Sequence, residues 1–144
     1  MTLVLGEPKL KGNSDVIESK ELSGGTAIIP GLPIKIHTDG KYKALTAGDV
    51  PVAISGKTTY STMEGVHSGM EVAVQIADSE SPAIGGQVYI IDATGALSSV
   101  STSATAVNAT FASLKDTSAI DPNTGIALAT SGKNAVLINF VGGL

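Results

Sequence analysis

Turn-forming clusters break this chain at a spacing of roughly ten residues, and that spacing leaves room only for short strands. Ser23-Gly24-Gly25, Pro30-Gly31, Asp39-Gly40, Thr46-Ala47-Gly48-Asp49, Asp92-Ala93-Thr94-Gly95 and Asp121-Pro122-Asn123-Thr124-Gly125 are the clearest of these clusters. The segment between Gly85 and Leu97 shows the pattern at its plainest. Val88-Tyr89-Ile90-Ile91 is a β-branched and aromatic run of strand length, and Asp92 to Gly95 supplies the turn. No amphipathic segment is long enough for a helical core. The expected fold is therefore all-β, a small barrel or sandwich of short strands.

Several strands can be placed by alternation. Thr26-Ala27-Ile28-Ile29 reads as a short strand. In Pro33 to Thr38, Ile34 and Ile36 share one face, with Lys35 and His37 on the other. Asp39-Gly40 is a hairpin signal, and Lys41 to Leu45 is its return strand. Val50 to Ile54 reads as another short strand, with Pro51 at its start or on an edge. In Met70 to Ala77, Val72, Val74 and Ile76 face in, while Glu71 and Gln75 face out. Gly56 to Gly69 reads as a polar, turn-rich loop, and Ser98 to Ser113 as a loop with a helical turn near 106–114. Ile126 to Thr130 and Ala135 to Val141 are the last strands, Val136, Ile138 and Phe140 sharing one face of the second.

Residues 1–22 differ from this body. They hold about a third of the chain's charges in about a sixth of its length, and Pro8, Gly12 and Asn13 break regular structure. They read as a flexible N-terminal arm ahead of a β domain at 23–144. Leu3-Val4-Leu5, with Lys9 and Lys11 beyond it, is the patch expected to contact a partner.

Composition narrows the function classes. The formal net charge is −4 and every cation is Lys. Without Arg, bidentate contacts to phosphate or guanine edges are disfavoured, so no nucleic-acid partner is expected. There is no Cys, which excludes thiolate chemistry and Cys-based metal sites. No window approaches the ~20 apolar residues of a membrane-spanning helix, and no signal peptide is evident, so no membrane partner is expected.

The motifs that resemble catalytic or binding sites are incomplete. Ser55-Gly56-Lys57-Thr58 matches the tail of a phosphate-binding loop, but Pro51 stands where its first Gly belongs, and no helix follows. His37 and His67 are the only histidines, and no nucleophile elbow accompanies them. Asp121 to Gly125 lacks the acidic spacing of a calcium loop. The expected catalytic, cofactor and metal residues are none, and the chain is expected not to be an enzyme. Tyr42 and Tyr60 are the only plausible aromatics for stacking a sugar.

Taken in order, the motifs resemble those of the head-decoration, or capsid cement, proteins of tailed bacteriophages. The resemblance rests on Gly25-Thr26-Ala27-Ile28-Ile29-Pro30-Gly31-Leu32-Pro33-Ile34, on Gly40, and on Ala44-Leu45-Thr46-Ala47-Gly48-Asp49. It continues through Gly69-Met70-Glu71-Val72-Ala73-Val74 and Gly86 to Gly95. It ends at Thr124 to Ala129 and Asn134 to Phe140. Ala53, and the length of the 98–122 segment, depart from the pattern. The resemblance implies a β-barrel or β-tulip fold and a homotrimer at threefold positions of the shell. It implies the major capsid protein as partner and the outer surface of the virion as location, after synthesis in the host cytoplasm. The competing expectation is a receptor- or carbohydrate-binding β module of a phage tail or fibre.

Overall fold

The computed structural model describes residues 3–9, 12, 15–115, 119–127 and 133–144. Among them there is no α-helix, only one 3-10 turn at Ser23–Gly25. The strands are β1 (Val16–Glu21), β2 (Pro33–Ile36), β3 (Tyr42–Ala44), β4 (Ala53–Thr59) and β5 (Thr62–Ser68). They continue with β6 (Val72–Ala77), β7 (Gln87–Ile91), β8 (Leu97–Ser98), β9 (Ala104–Phe111) and β10 (Lys133–Asn139). They form two five-stranded antiparallel sheets, ordered β1-β5-β4-β2-β3 and β6-β10-β9-β7-β8. The all-β expectation stands.

The first sheet curls. Leu22, just past β1, bridges to Tyr42 on the opposite edge strand, so the sheet nearly closes on itself. Leu22, Ile28, Ile34, Tyr42, Ala53 and Met63 fill its concave side. Its other face gives Ile54 and Val66 to the main core, where they meet Val72, Val74, Ile76, Val136, Ile138 and Phe140 of the second sheet. The alternation read at 72–76 and 136–140 therefore points where expected.

The N-terminal segment differs most from expectation. Residues 16–21 are not an arm but a strand, paired with β5 from Val16↔Ser68 to Glu21↔Thr62. Residues 3–9 are packed as well. Leu3 and Leu5 sit with Ala73, Ala135, Leu137 and Ala119 on the face of the second sheet away from the main core. The physical cause is an exposed edge. β6 would otherwise present unpaired backbone groups to water. Instead Gly6 N–H donates to Ala73 O at 2.8 Å, Ala73 N–H to Glu7 O at 3.2 Å and Lys9 N–H to Glu71 O at 2.9 Å. Gly6 is required here. Its φ is +73°, and a Cβ would collide with the Ser55 carbonyl.

Five further readings are corrected. Gly56 to Gly69 is not a loop; β4 and β5 form a long hairpin across it. Several of its buried positions carry Ser or Gly, so the large apolar residues Met63 and Val66 stand out little from the polar sequence around them. Ser55 Oγ donates to Ile29 O at 2.7 Å and accepts from Leu32 N–H at 3.0 Å. The second is at 98–113, where the expected helical turn is strand β9, with Val107, Ala109 and Phe111 turned to the core. Small Ala and Thr side chains hid its alternation. Thirdly, Thr26–Ile29 joins no sheet. Fourthly, the strand read at Val50–Ile54 starts only at Ala53. Lastly, Gln75 faces neither solvent nor a void: its amide donates to Pro30 O at 2.8 Å beneath the 29–31 segment. Ile126 and Ala127 are described, Ala127 bridging to Ile120; the rest of the strand expected there, 128–130, lies outside the described residues.

Candidate functional site

The residues expected to contact a partner are scattered by the fold. Leu3 and Leu5 are buried. Val4 is half-buried and bridges to Ile120. Lys9 is exposed, and Lys11 lies outside the described residues. The expected sticky patch is therefore a correction: an apolar Leu pair next to an Ala-lined sheet face gains more by covering it than by staying in water.

The two histidines lie apart. His37 belongs to the β2–β3 turn, where its N–H donates to Lys41 O at 2.8 Å. His67 falls in the segment expected to be a loop but stands on β5, where its Nε2 is 2.7 Å from Tyr42 Oη. Tyr42 Oη also approaches the Glu18 carbonyl at 3.2 Å. If Nε2 carries the proton, it donates to Tyr42 and leaves the tyrosine hydroxyl free to donate to Glu18, so both contacts are satisfied. Burial pushes His67 down from its ordinary pKa, with Glu18 opposing and Lys20 adding to the shift. Burial, then the Glu18 charge, pushes Tyr42 up to about 12. The cluster closes the seam of the curled sheet. Gly65 makes room for it, since a Cβ there would strike Tyr42 Oη. Tyr42 is fully buried, which removes it as a sugar-stacking residue.

The chemical motifs resolve into structure. Gly56 and Lys57 lie within β4, so no helix follows to receive a phosphate. Asp121 caps its own turn, its Oδ1 accepting Asn123 N–H at 2.8 Å, and Asn123 Oδ1 accepts Thr58 N–H at 2.9 Å. Among the described residues, no three His, Asp or Glu side chains gather as a metal site, and no helix is long and apolar enough to cross a membrane.

Two surface features stand out. The first is the tip of the β4–β5 hairpin. Tyr60 is 99% exposed there, with φ at 55°. A bulky side chain is disfavoured in that left-handed region, which Gly or Asn normally fills. Lys57, also exposed, is the only charged residue from 57 to 62, and no acidic side chain pairs with it among the described residues. Sequence reasoning missed this feature because it took the segment for a loop. The symmetric Thr59-Tyr60-Ser61-Thr62 flanks were the available signal.

The second feature is a cleft of about 250 Å³ between the β3–β4 loop and the β7–β9 region, walled by Val50, Pro51, Ile90 and Val107. Asp49 and Asp92 add carboxylates to its lining. The Lys35 ammonium, 2.8 Å from Asp49, and the Thr46 N–H and hydroxyl hold the Asp49 carboxyl well below the usual carboxylate range. Asp92 Oδ1 accepts from Thr105 Oγ1 at 2.6 Å, and no cation pairs with it among the described residues. Val50 is 77% exposed at the rim. Nothing in the sequence alone joins residues 50, 92 and 107.

At one end of the molecule, Val16, Ile17, Met70 and Val141 are also exposed. The backbone brings them near one another: Val16 pairs with Ser68, Phe140 N–H donates to Gly69 O, and Gly142 N–H donates to Ser68 Oγ. Compared with known proteins, the chain matches no protein-family model and no curated protein sequence.

Proposed function

We propose that this chain is a capsid decoration protein of a tailed bacteriophage, binding the outside of the mature head and holding its major capsid protein lattice together. The observation that carries this reading is the order of Gly- and Val-based motifs from Gly25 to Phe140 along one all-β body. The apolar residues gathered around Ser68 and Gly69 support it, since a surface of that kind suits a broad protein lattice. So does the sparse charge, which makes binding little dependent on salt.

The mechanism needs no chemistry. A protein that binds the expanded lattice but not its dissociated or immature form stabilises that lattice by mass action. At a free concentration of about 100 times Kd the gain is roughly 2.7 kcal/mol per site. Summed over the many sites of a shell, it opposes the pressure of packaged DNA. In this reading three copies gather at each threefold position, and the protein, made in the host cytoplasm, ends on the virion surface.

Co-sedimentation tests it. The purified chain is expected to pellet with empty mature heads and not with unexpanded ones. Equal binding to both forms overturns the reading. Exposed Tyr60 favours a second reading, a carbohydrate-binding module of a tail or fibre. Retention on a glycan column without binding to heads would select it.

A further inference from the structure

The hairpin tip and the cleft are complementary, and they lie at opposite ends of one strand. Val50 and Pro51 precede β4 and wall the cleft, whereas Tyr60 follows it. At about 3.3 Å per strand residue the two are on the order of 25 Å apart. They cannot meet within one molecule. They can meet between two.

We propose that Tyr60 of one copy inserts into the cleft of the next, so that copies of this chain associate head to tail. The first reason is strain. Tyr60 holds a left-handed backbone that its side chain disfavours, and at 99% exposure its ring makes almost no packing contact that could compensate. An outside contact supplies the compensation. The second reason is size. Small-molecule pockets run about 300–1,000 Å³, and a cleft of about 250 Å³ falls below that range. Its apolar walls suit a single aromatic ring, and a carboxylate in its lining can accept from the phenol. The third reason is charge. Lys57, close to the knob, is a cation without a partner among the described residues, and Asp92, at the cleft, is an anion in the same condition.

A knob and a hole on different parts of the surface make a heterologous contact, which closes into a ring or runs on as a filament. Closure after three copies rests on the decoration reading; the knob-and-cleft contact stands without it.

Sedimentation of the full chain tests the contact. Wild type is expected to self-associate as concentration rises. Tyr60→Asn removes the knob and suits the left-handed backbone, and Val50→Lys puts a cation on the cleft wall. Both positions are exposed, and circular dichroism checks that each variant is folded. Each variant alone is expected to stay monomeric. Mixed, they should form a heterodimer, because one keeps its cleft and the other its knob. A wild type monomeric at every concentration overturns the proposal, as do Tyr60→Asn associating like wild type, a mixture that yields no heterodimer, and Tyr60→Asn abolishing glycan binding by a monomeric wild type. Binding of the same proteins to heads is read separately. Loss of self-association with head binding intact confirms the contact without touching the decoration reading, and failure of all of them to bind heads overturns that reading alone.

Discussion

The two sheets solve the same problem in opposite ways. The second is covered on both faces. Val72, Val74 and Ile76 pack into the main core, while Ala73, Ala135 and Leu137 lie under Leu3 and Leu5. Its β6 edge is taken up by residues 6–9. The first sheet has no such cover. It curls around Tyr42 instead, and the end of its longest hairpin stands free in solvent with Tyr60 at the tip. In the second sheet, residues 3–9 form a covering layer; in the first, residues 16–21 are an edge strand, and extra hairpin length is left available for contact.

The largest test of that contrast removes the cover. Leu5 is completely buried, so Leu5→Ala should destabilise the fold by about 3 kcal/mol. Deleting residues 1–9 should do more, baring the β6 edge and promoting aggregation. Urea unfolding and light scattering measure both effects. An unchanged midpoint would mean that the segment is dispensable and the contrast false.

Gly65→Ala probes the closure of the curl. The new methyl group collides with Tyr42 Oη, so a loss of about 2 kcal/mol is expected. Tyr42→Phe removes the hydroxyl oxygen but leaves the ring carbon Cζ, which the new methyl group also strikes, so the double variant should lose only somewhat less than the sum of the single ones. Strict additivity would show that the two residues do not share the space.

Tyr60→Asn should go the other way. Relief of the left-handed strain raises stability by about 0.5 kcal/mol, read as a higher urea midpoint. A loss would place the tyrosine ring in the folding core after all.

The smallest effect is that of pH on the seam. The pKa of His67 is lowered in the folded chain, so the unfolded chain binds the proton more readily. Its contribution is present above the ordinary histidine value of 6.5 and is lost as pH falls through the lowered folded value. His67→Gln should flatten that part of the stability profile. The loss at lower pH should remain, because the carboxyls of Asp39, held down by the Ser23 hydroxyl and the Lys41 N–H, and Asp49, held down by Lys35, titrate there.

Where burial is by large residues at regular spacing, the sequence alone was enough. The hairpin at Asp39-Gly40, the turn after Ile91 and the inward faces of β6 and β10 are written in alternation and turn chemistry, which act over a few residues. No candidate site was legible in that way. Gly65 and Ser55 look like loop residues until Tyr42 and Ile29 are seen against them, and the cleft joins residues 50, 92 and 107 only after the chain has folded. The fate of residues 3–9 and 16–21 was decided at the same level. Charge and chain breakers describe a loose terminus, but residues 3–9 cover the open edge and Ala-lined face of the second sheet and residues 16–21 pair with β5 of the first, because satisfying those groups is worth more than leaving the chain free.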